Sequence, residues 1–366
     1  MKIDWKWLLA LAWFCLSIGT SVDAIEEKSP DVSETETGVD LSQHPKRHGR
    51  TAPLPDGVEK QAVSIWSDGT RMSGDVYRPK GVDGEAKLPA IIFCNGTGGT
   101  KDGTGARLGP IFAQHGFVFL TFDYRGWGQS ESKVMLVYKV KDSIDTKSGE
   151  FMARVKPIRW QLDFADQTYD IRSAISFLSG EAYVDSGRIG IMGSSYGGGL
   201  VTWIAGNDPR VKCLVAQVPG MGGGRGGGSS KAAYALLTAQ ARGETEPVPF
   251  NTGKLVGKME NFAQMRRNPA KSIGYNAIEA ADKIVVPTLI VVAENDELVD
   301  NNTNGKAVYD IIHAKGTTPV AFHEIKDIGH FDIYGKGQNE ALSLELQWYE
   351  EHLKNNSSRA AKSPPL

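Results

Sequence analysis

Between about residue 58 and residue 353 the chain alternates short apolar runs with segments of helical period. The runs at 61–67, 71–78, 90–94, 117–122, 189–192, 213–218, 288–293 and 320–325 have the length and β-branched or aromatic content of strands. The first two read as a hairpin turned at Ser67-Asp68-Gly69-Thr70. The other six are almost wholly apolar, as strands covered on both faces must be. Residues 160–179 carry Ile171, Ala174, Ile175 and Leu178 at the spacing of one helix face, and residues 338–353 repeat that pattern. Strands alternating with helices predict an α/β fold with a mostly parallel eight-stranded sheet and helices on both faces.

Two regions break this rhythm. From about 220 to 282 the chain is glycine-rich at first and shows no clear strand, with a helical patch at Lys231 to Ala241. An insertion of that length between core strands predicts a cap over a site. Residues 25–55 and 355–366 are polar and without period, and read as a disordered linker and a flexible tail. The domain proper is therefore expected over 56–354.

The first 24 residues follow another logic. Lys2 and Lys6 precede an apolar run from Trp7 to Ile18, and Val22-Asp23-Ala24 offers small residues for cleavage. That order predicts a signal peptide and an exported protein, periplasmic or secreted, with no stable membrane insertion after cleavage. Two cysteines then remain, Cys94 and Cys213, each in a predicted strand. In the expected sheet a third strand separates theirs. At about 4.8 Å per strand that gap exceeds the roughly 7 Å a disulfide can bridge, so both are expected as free, packed thiols.

Composition adds little beyond excluding extremes. Hydrophobic residues at 40% and charged residues at 23% of 366 suit a large globular core, and a net charge of -2 argues against nucleic acid as a partner. Oligomeric state is not legible.

The chemistry concentrates in Ile189-Gly190-Ile191-Met192-Gly193-Ser194-Ser195-Tyr196-Gly197-Gly198. A strand running into G-x-S-x-G and then a helix must reverse sharply, which holds the serine in a strained conformation at the tip. Gly193 and Gly197 supply room for the turn, and the helix N-terminus favours negative charge on the reacting oxygen. Ser195 is the expected nucleophile, with Ser194 the competing hydroxyl.

A serine needs a base. Of the seven histidines, His330 sits in a loop just past a strand, where open α/β sheets place their sites. Strand 288–293 leads into a loop whose Asp296 is the expected orienting acid, with Asp300 and Glu294 as alternatives. The chain order Ser, Asp, His follows. Oxyanion donors are expected from the N–H of Tyr196 and from the loop Asn95-Gly96-Thr97-Gly98-Gly99, with Thr97 first and Gly96 next.

These residues resemble the α/β-hydrolase superfamily over most of the chain. Asp123-Tyr124-Arg125-Gly126-Trp127-Gly128-Gln129-Ser130 is similar to the D-x-R-G-x-G-x-S loop of many members. Gly329-His330-Phe331-Asp332-Ile333-Tyr334 resembles the histidine loop of the branch holding dienelactone hydrolase-like, polyketide-transferase-like and Xaa-Pro-peptidase-like (S15) enzymes. The resemblance implies acyl transfer through an acyl-enzyme on a small-molecule ester or acyl substrate, without cofactor. Cys94-Asn95-Gly96 departs from the His-Gly of many members, which leaves the second oxyanion donor less defined.

Other classes have weaker footing. Gly222, Gly224 and Gly227 match G-x-G-x-x-G after a strand, as a nucleotide-binding oxidoreductase would, but almost every position there is glycine and no acidic strand end follows. A catalytically inactive binding module would need a damaged triad, and no member is missing. No His, Cys or Asp cluster has metal-ligand spacing.

Overall fold

The computed structural model describes residues 53–137, 152–222, 229–245 and 265–354. Its main sheet comprises β1 (Val58–Ser67), β2 (Thr70–Pro79), β3 (Leu88–Cys94), β4 (Val118–Phe122), β5 (Val184–Ser194), β6 (Val211–Gln217), β7 (Thr288–Ala293) and β8 (Val320–Ile325). The spatial order is β1-β2-β4-β3-β5-β6-β7-β8. The pairings β1/β2 and β2/β4 are antiparallel. Every later pairing is parallel, so the ends of six neighbouring strands open toward one rim.

The first hairpin turns where its sequence predicts. Asp68 and Gly69 sit at φ of 47° and 73° and Ser67 pairs with Thr70, the two left-handed residues of a type I′ connection. Strands β3 to β7 owe their place to apolar content, and all six residues of β7 are buried. β8 differs from the reading of strands covered on both faces. It is the outermost strand, and only Ile325 is fully buried.

The principal helices are α1 (Thr104–Gln114), α2 (Phe164–Gly180), α3 (Tyr196–Ala205), α4 (Lys231–Ala241), α5 (Gly305–Lys315) and α6 (Gln338–Tyr349). The predicted stripe Ile171, Ala174, Ile175 and Leu178 of α2 packs on one face of the sheet with Leu200 and Ile204 of α3 and Val308 and Ile312 of α5. Leu108, Ile111 and Phe112 of α1 cover the other face with Leu342, Leu346 and Tyr349 of α6. Each such buried aliphatic side chain contributes about 1.5–3 kcal/mol. The α/β layering read from the periodicity is the one observed.

Helix α2 begins later than its apolar pattern suggests. Asp163 caps it, accepting the N–H of Asp166 at 3.0 Å. The three residues before the cap do other work. Trp160 takes a φ of 56°, and Gln161–Leu162 pairs in parallel with Arg266–Arg267, a strand segment the expected insertion was read as lacking. Arg266 and Arg267 carry no apolar period, so the pairing was invisible locally. Within that insertion the helix Lys231–Ala241 is present, capped by Ser230.

Cys94 ends β3 and Cys213 lies on β6, with β5 between them. Both are buried free thiols, and burial pushes both thiol pKa values up. Among the described residues no helix is long and apolar enough to cross a membrane. The predicted signal segment, nearly all of the linker, the tail, and Gly224 and Gly227 of the glycine run lie outside the described residues.

Candidate active site

The strand order brings the ends of β3, β5, β7 and β8 to one rim, and each of the four loops carries a residue singled out above. At the end of β5 the chain turns directly into α3, with Ser195 at the junction at φ 54° and ψ −120°. A left-handed φ is costly for a residue with a Cβ and persists only where the surroundings impose it. Three backbone bonds impose it here. The Ser195 N–H donates to the Gln217 carbonyl at 2.8 Å, and the Ser195 carbonyl accepts the N–H groups of Gly220 at 3.0 Å and Gly199 at 3.3 Å. A Cβ on Gly193 would sit 2.4 Å from the Gly197 carbonyl oxygen, and one on Gly197 would sit 2.2 Å from that of Cys94. The two motif glycines are therefore required by close approach.

Ser195 Oγ lies 2.9 Å from Nε2 of His330, and His330 Nδ1 lies 2.7 Å from Oδ2 of Asp296. His330 and Asp296 side chains are 2% and 0% exposed, so this run is shielded from water on the Asp296 side. Asp296 is held in turn. Its Oδ1 accepts the N–H groups of Leu298 at 2.9 Å and Val299 at 2.8 Å, leaving Oδ2 for the imidazole. With Asp296 on Nδ1, the imidazole carries its proton there and presents Nε2 to the serine as an acceptor. The alternatives for the acid are engaged elsewhere: Asp300 takes the N–H of Asn302, and Glu294 takes Lys326 and the N–H of Asp327. Ser194 turns away from the imidazole, its Oγ 2.6 Å from the Tyr334 hydroxyl.

The glycine-rich loop after β3 packs on the serine turn. A Cβ on Gly96 would lie 3.0 Å from the Ser194 carbonyl oxygen and 3.1 Å from Ser195 Cβ. The loop is anchored by Asn95, whose Nδ2 donates to the Phe122 carbonyl at 3.2 Å and whose carbonyl accepts the Tyr124 hydroxyl at 3.3 Å. Beyond it, Asp123 accepts the N–H of Lys101 at 2.7 Å and that of Gln129 at 2.7 Å. Burial pushes the Asp123 carboxyl up to about 6, against those two donors. Tyr196 follows the serine at the start of α3 and Thr97 follows Gly96 in the loop packed on the turn; neither backbone N–H has a hydrogen-bond acceptor among the described residues. The Tyr196 side chain is committed elsewhere: its hydroxyl donates to Gln167 Oε1, and its ring lies between those of Trp127 and Phe164.

Sequence reasoning missed three contributors. Glu297 Oε2 accepts the backbone N–H of His330 at 2.9 Å, and Tyr334 and Gln217 brace the serine turn as described. Glu297 adjoins Asp296 and was open to notice; the other two depend on pairings between distant segments.

The family model of X-Pro dipeptidyl-peptidases (S15 family) matches residues 68–315, well over half the chain. The chain belongs to this family. The matched segment of this S15-family chain contains Ser195 and Asp296 and ends before His330. An uncharacterised 31.7 kDa protein from the traX-finO intergenic region of Escherichia coli is 31% identical over 300 residues, 74% of this chain and 93% of that one. Among solved structures, a Pyrococcus furiosus esterase superposes with a TM-score of 0.54 at 17% identity, covering 85% of this chain and 97% of that one. The acylaminoacyl peptidase of Pyrococcus horikoshii gives 0.54 at 18% identity, covering 82% of this chain and 42% of that one. The fold is the α/β-hydrolase fold, and this S15-family chain is a hydrolase.

Proposed function

We propose that the chain hydrolyses carboxylic esters through an acyl-enzyme formed on Ser195. The observation that carries this reading is the unbroken run from Ser195 Oγ through both nitrogens of His330 to Asp296, with contacts of 2.9 and 2.7 Å. His330 Nε2 takes the hydroxyl proton as Oγ attacks the ester carbonyl carbon. The oxyanion is held by the N–H groups of Tyr196 and Thr97, with Gly96 as the alternative donor. His330 then gives its proton to the leaving alcohol. In the second half the same nitrogen deprotonates water, which attacks the acyl carbon; the acyl–Oγ bond breaks, His330 returns the proton to Ser195 Oγ and the acid leaves. Asp296 holds the imidazole tautomer throughout.

A second reading, release of an X-Pro dipeptide, is favoured by the family match alone. The same hydroxyl and imidazole serve it, with an amine as the leaving group. The order of basic, apolar and small residues over positions 1–24 supports a proposal of export to the periplasm or medium.

Turnover of p-nitrophenyl esters of increasing acyl length, beside aminoacyl-prolyl anilides, separates the two substrate readings. Ser195→Ala is expected to abolish turnover of whichever substrate is used while the melting temperature stays within a few degrees. Substantial residual turnover would refute the serine mechanism.

A further inference from the structure

Behind the serine turn, on the sheet face covered by α1 and α6, four polar side chains outside the proton-transfer run meet. Cys213 and Val215 of β6 pack on that face, and strand alternation puts the Gln217 side chain there too. Gln217 links two levels of the structure. Its backbone carbonyl takes the Ser195 N–H at 2.8 Å, and its Nε2 donates to Oε1 of Glu345 on α6 at 3.0 Å. One strand across, Ser194 Oγ meets the hydroxyl of Tyr334, the residue that closes the turn begun by His330.

Between these groups is a cavity of about 10 Å³, lined by Gln217, Tyr334 and Glu345 with Arg107 and Gln338. That is about the room one water needs. Two acceptors on its lining residues have no hydrogen-bond partner among the described residues, Glu345 Oε2 and Gln217 Oε1, and Glu345 is fully buried. Buried polar atoms beside one small cavity call for a shared donor.

We infer that Glu345 is a positioning residue for Ser195, acting through Gln217, and that the two side chains share one ordered water. A protonated Glu345 donates from Oε2 to that water, and the water donates to Gln217 Oε1. Both ends of the Gln217 amide are then fixed, and with them the carbonyl that receives the Ser195 N–H. The inference rests on the serine-hydrolase reading above.

The carboxyl of Glu345 is kept neutral by burial, with few charged groups around it. Arg107 of α1 donates to the Tyr334 carbonyl and to Gln338 Oε1. Tyr334 lines the same cavity from the histidine turn; Tyr349, on Glu345's own helix, feels both Glu345 and Cys213 of β6, and burial raises the pKa of Tyr349 and of Cys213. Burial likewise pushes Glu345 up to about 8, against a smaller lowering by Gln217. Above that pH a carboxylate forms beside the serine turn, and the proton that bridged to Gln217 is gone.

The test is the second-order rate at which a fluorophosphonate labels Ser195, measured from pH 6 to 10 with the melting temperature followed in parallel. The wild-type rate is expected to fall on the order of tenfold above about pH 8, because small displacements of a nucleophile are costly. Glu345→Gln keeps the shape and cannot ionise; it is expected to match the wild type at pH 7 and lose the alkaline fall. Glu345→Leu removes the link and is expected to label about tenfold more slowly at pH 7 while folded. An unchanged alkaline fall in Glu345→Gln overturns the inference, as does wild-type labelling by folded Glu345→Leu. If Glu345→Leu does not fold, the Glu345→Gln profile decides alone. Absence of labelling in the wild type at every pH overturns instead the serine-hydrolase reading beneath it.

Discussion

Glu297 holds the backbone of His330 by accepting its N–H at 2.9 Å, while the neighbouring Asp296 holds the ring of the same histidine at 2.7 Å. Two consecutive carboxylates thus fix the main chain and the side chain of one residue. The Glu297 side chain is exposed, so its bond competes with water and is worth less than a buried one. Glu297→Ala is expected to lower kcat/KM by about three- to tenfold, and Glu297→Gln, which keeps an acceptor oxygen, by less. Steady-state kinetics on a p-nitrophenyl ester would show it; equal losses in both variants would mean that charge, and not the hydrogen bond, matters.

Asp296 offers a harsher test of the orientation argument. Asp296→Asn presents an amide where a carboxylate oxygen now meets Nδ1, which favours the wrong imidazole tautomer. A loss of about 10⁴ in kcat with KM little changed is expected. A loss below tenfold would show that the imidazole orients without the carboxylate.

Gly197→Ala is expected to be lost through folding. Its new Cβ would lie 2.2 Å from the Cys94 carbonyl oxygen and 2.6 Å from that of Asn95, both backbone atoms that cannot swing aside. A cost of about 3 kcal/mol, the upper end for overpacking, follows because backbone atoms are in the way, read as a fall in the urea midpoint. Glycine here is structural before it is catalytic.

A buried ion cluster ties the loop after β4 to α2. Arg125 Nε donates to Asp170 Oδ1 at 2.6 Å, its N–H to Asp170 Oδ2 at 3.0 Å and its Nη2 to Ser67 Oγ at 2.8 Å, with Asp170 fully buried. Arg125→Met strands the carboxylate and is expected to cost about 3–5 kcal/mol. Adding Asp170→Leu is expected to recover part of that loss, and a double mutant as unstable as the single one would contradict it.

Glu345 also predicts how stability varies with pH. Its folded value of about 8 exceeds its ordinary value of 4.5, so between those limits the folded state keeps a proton the unfolded chain has released. Stability therefore falls as pH rises through that window, and levels off outside it. Relative to wild type, Glu345→Gln is expected to gain stability steadily from pH 5 to pH 8 and no more beyond. Urea midpoints at pH 5, 7 and 9 measure this; a pH-independent difference would mean the carboxyl is already ionised.

How much was readable from the sequence depended on whether the signal was local. The hairpin turn at Asp68-Gly69, the apolar core strands and the stripe of α2 each announce themselves within a dozen residues. So does the turn at Ser195, because strand, glycines and helix are contiguous. The start of α2 was misread because Gln161–Leu162 is claimed by Arg266–Arg267, more than a hundred residues later. Glu345 did leave a trace: it sits on the apolar face of α6 between Leu342 and Leu346, where a carboxylate is out of place.

The sequence by itself determined the alternation of strands and helices, the family resemblance, and three residue types in three loops past strand ends. Only the tertiary structure decided the separations among Ser195, His330 and Asp296, which of several carboxylates faces the imidazole, and that Gln217 and Glu345 meet across 128 positions. The physical reason is one of range. Backbone geometry and hydrophobic period act over a few residues and are written locally, whereas a hydrogen bond between distant segments exists only after the sheet has set their order.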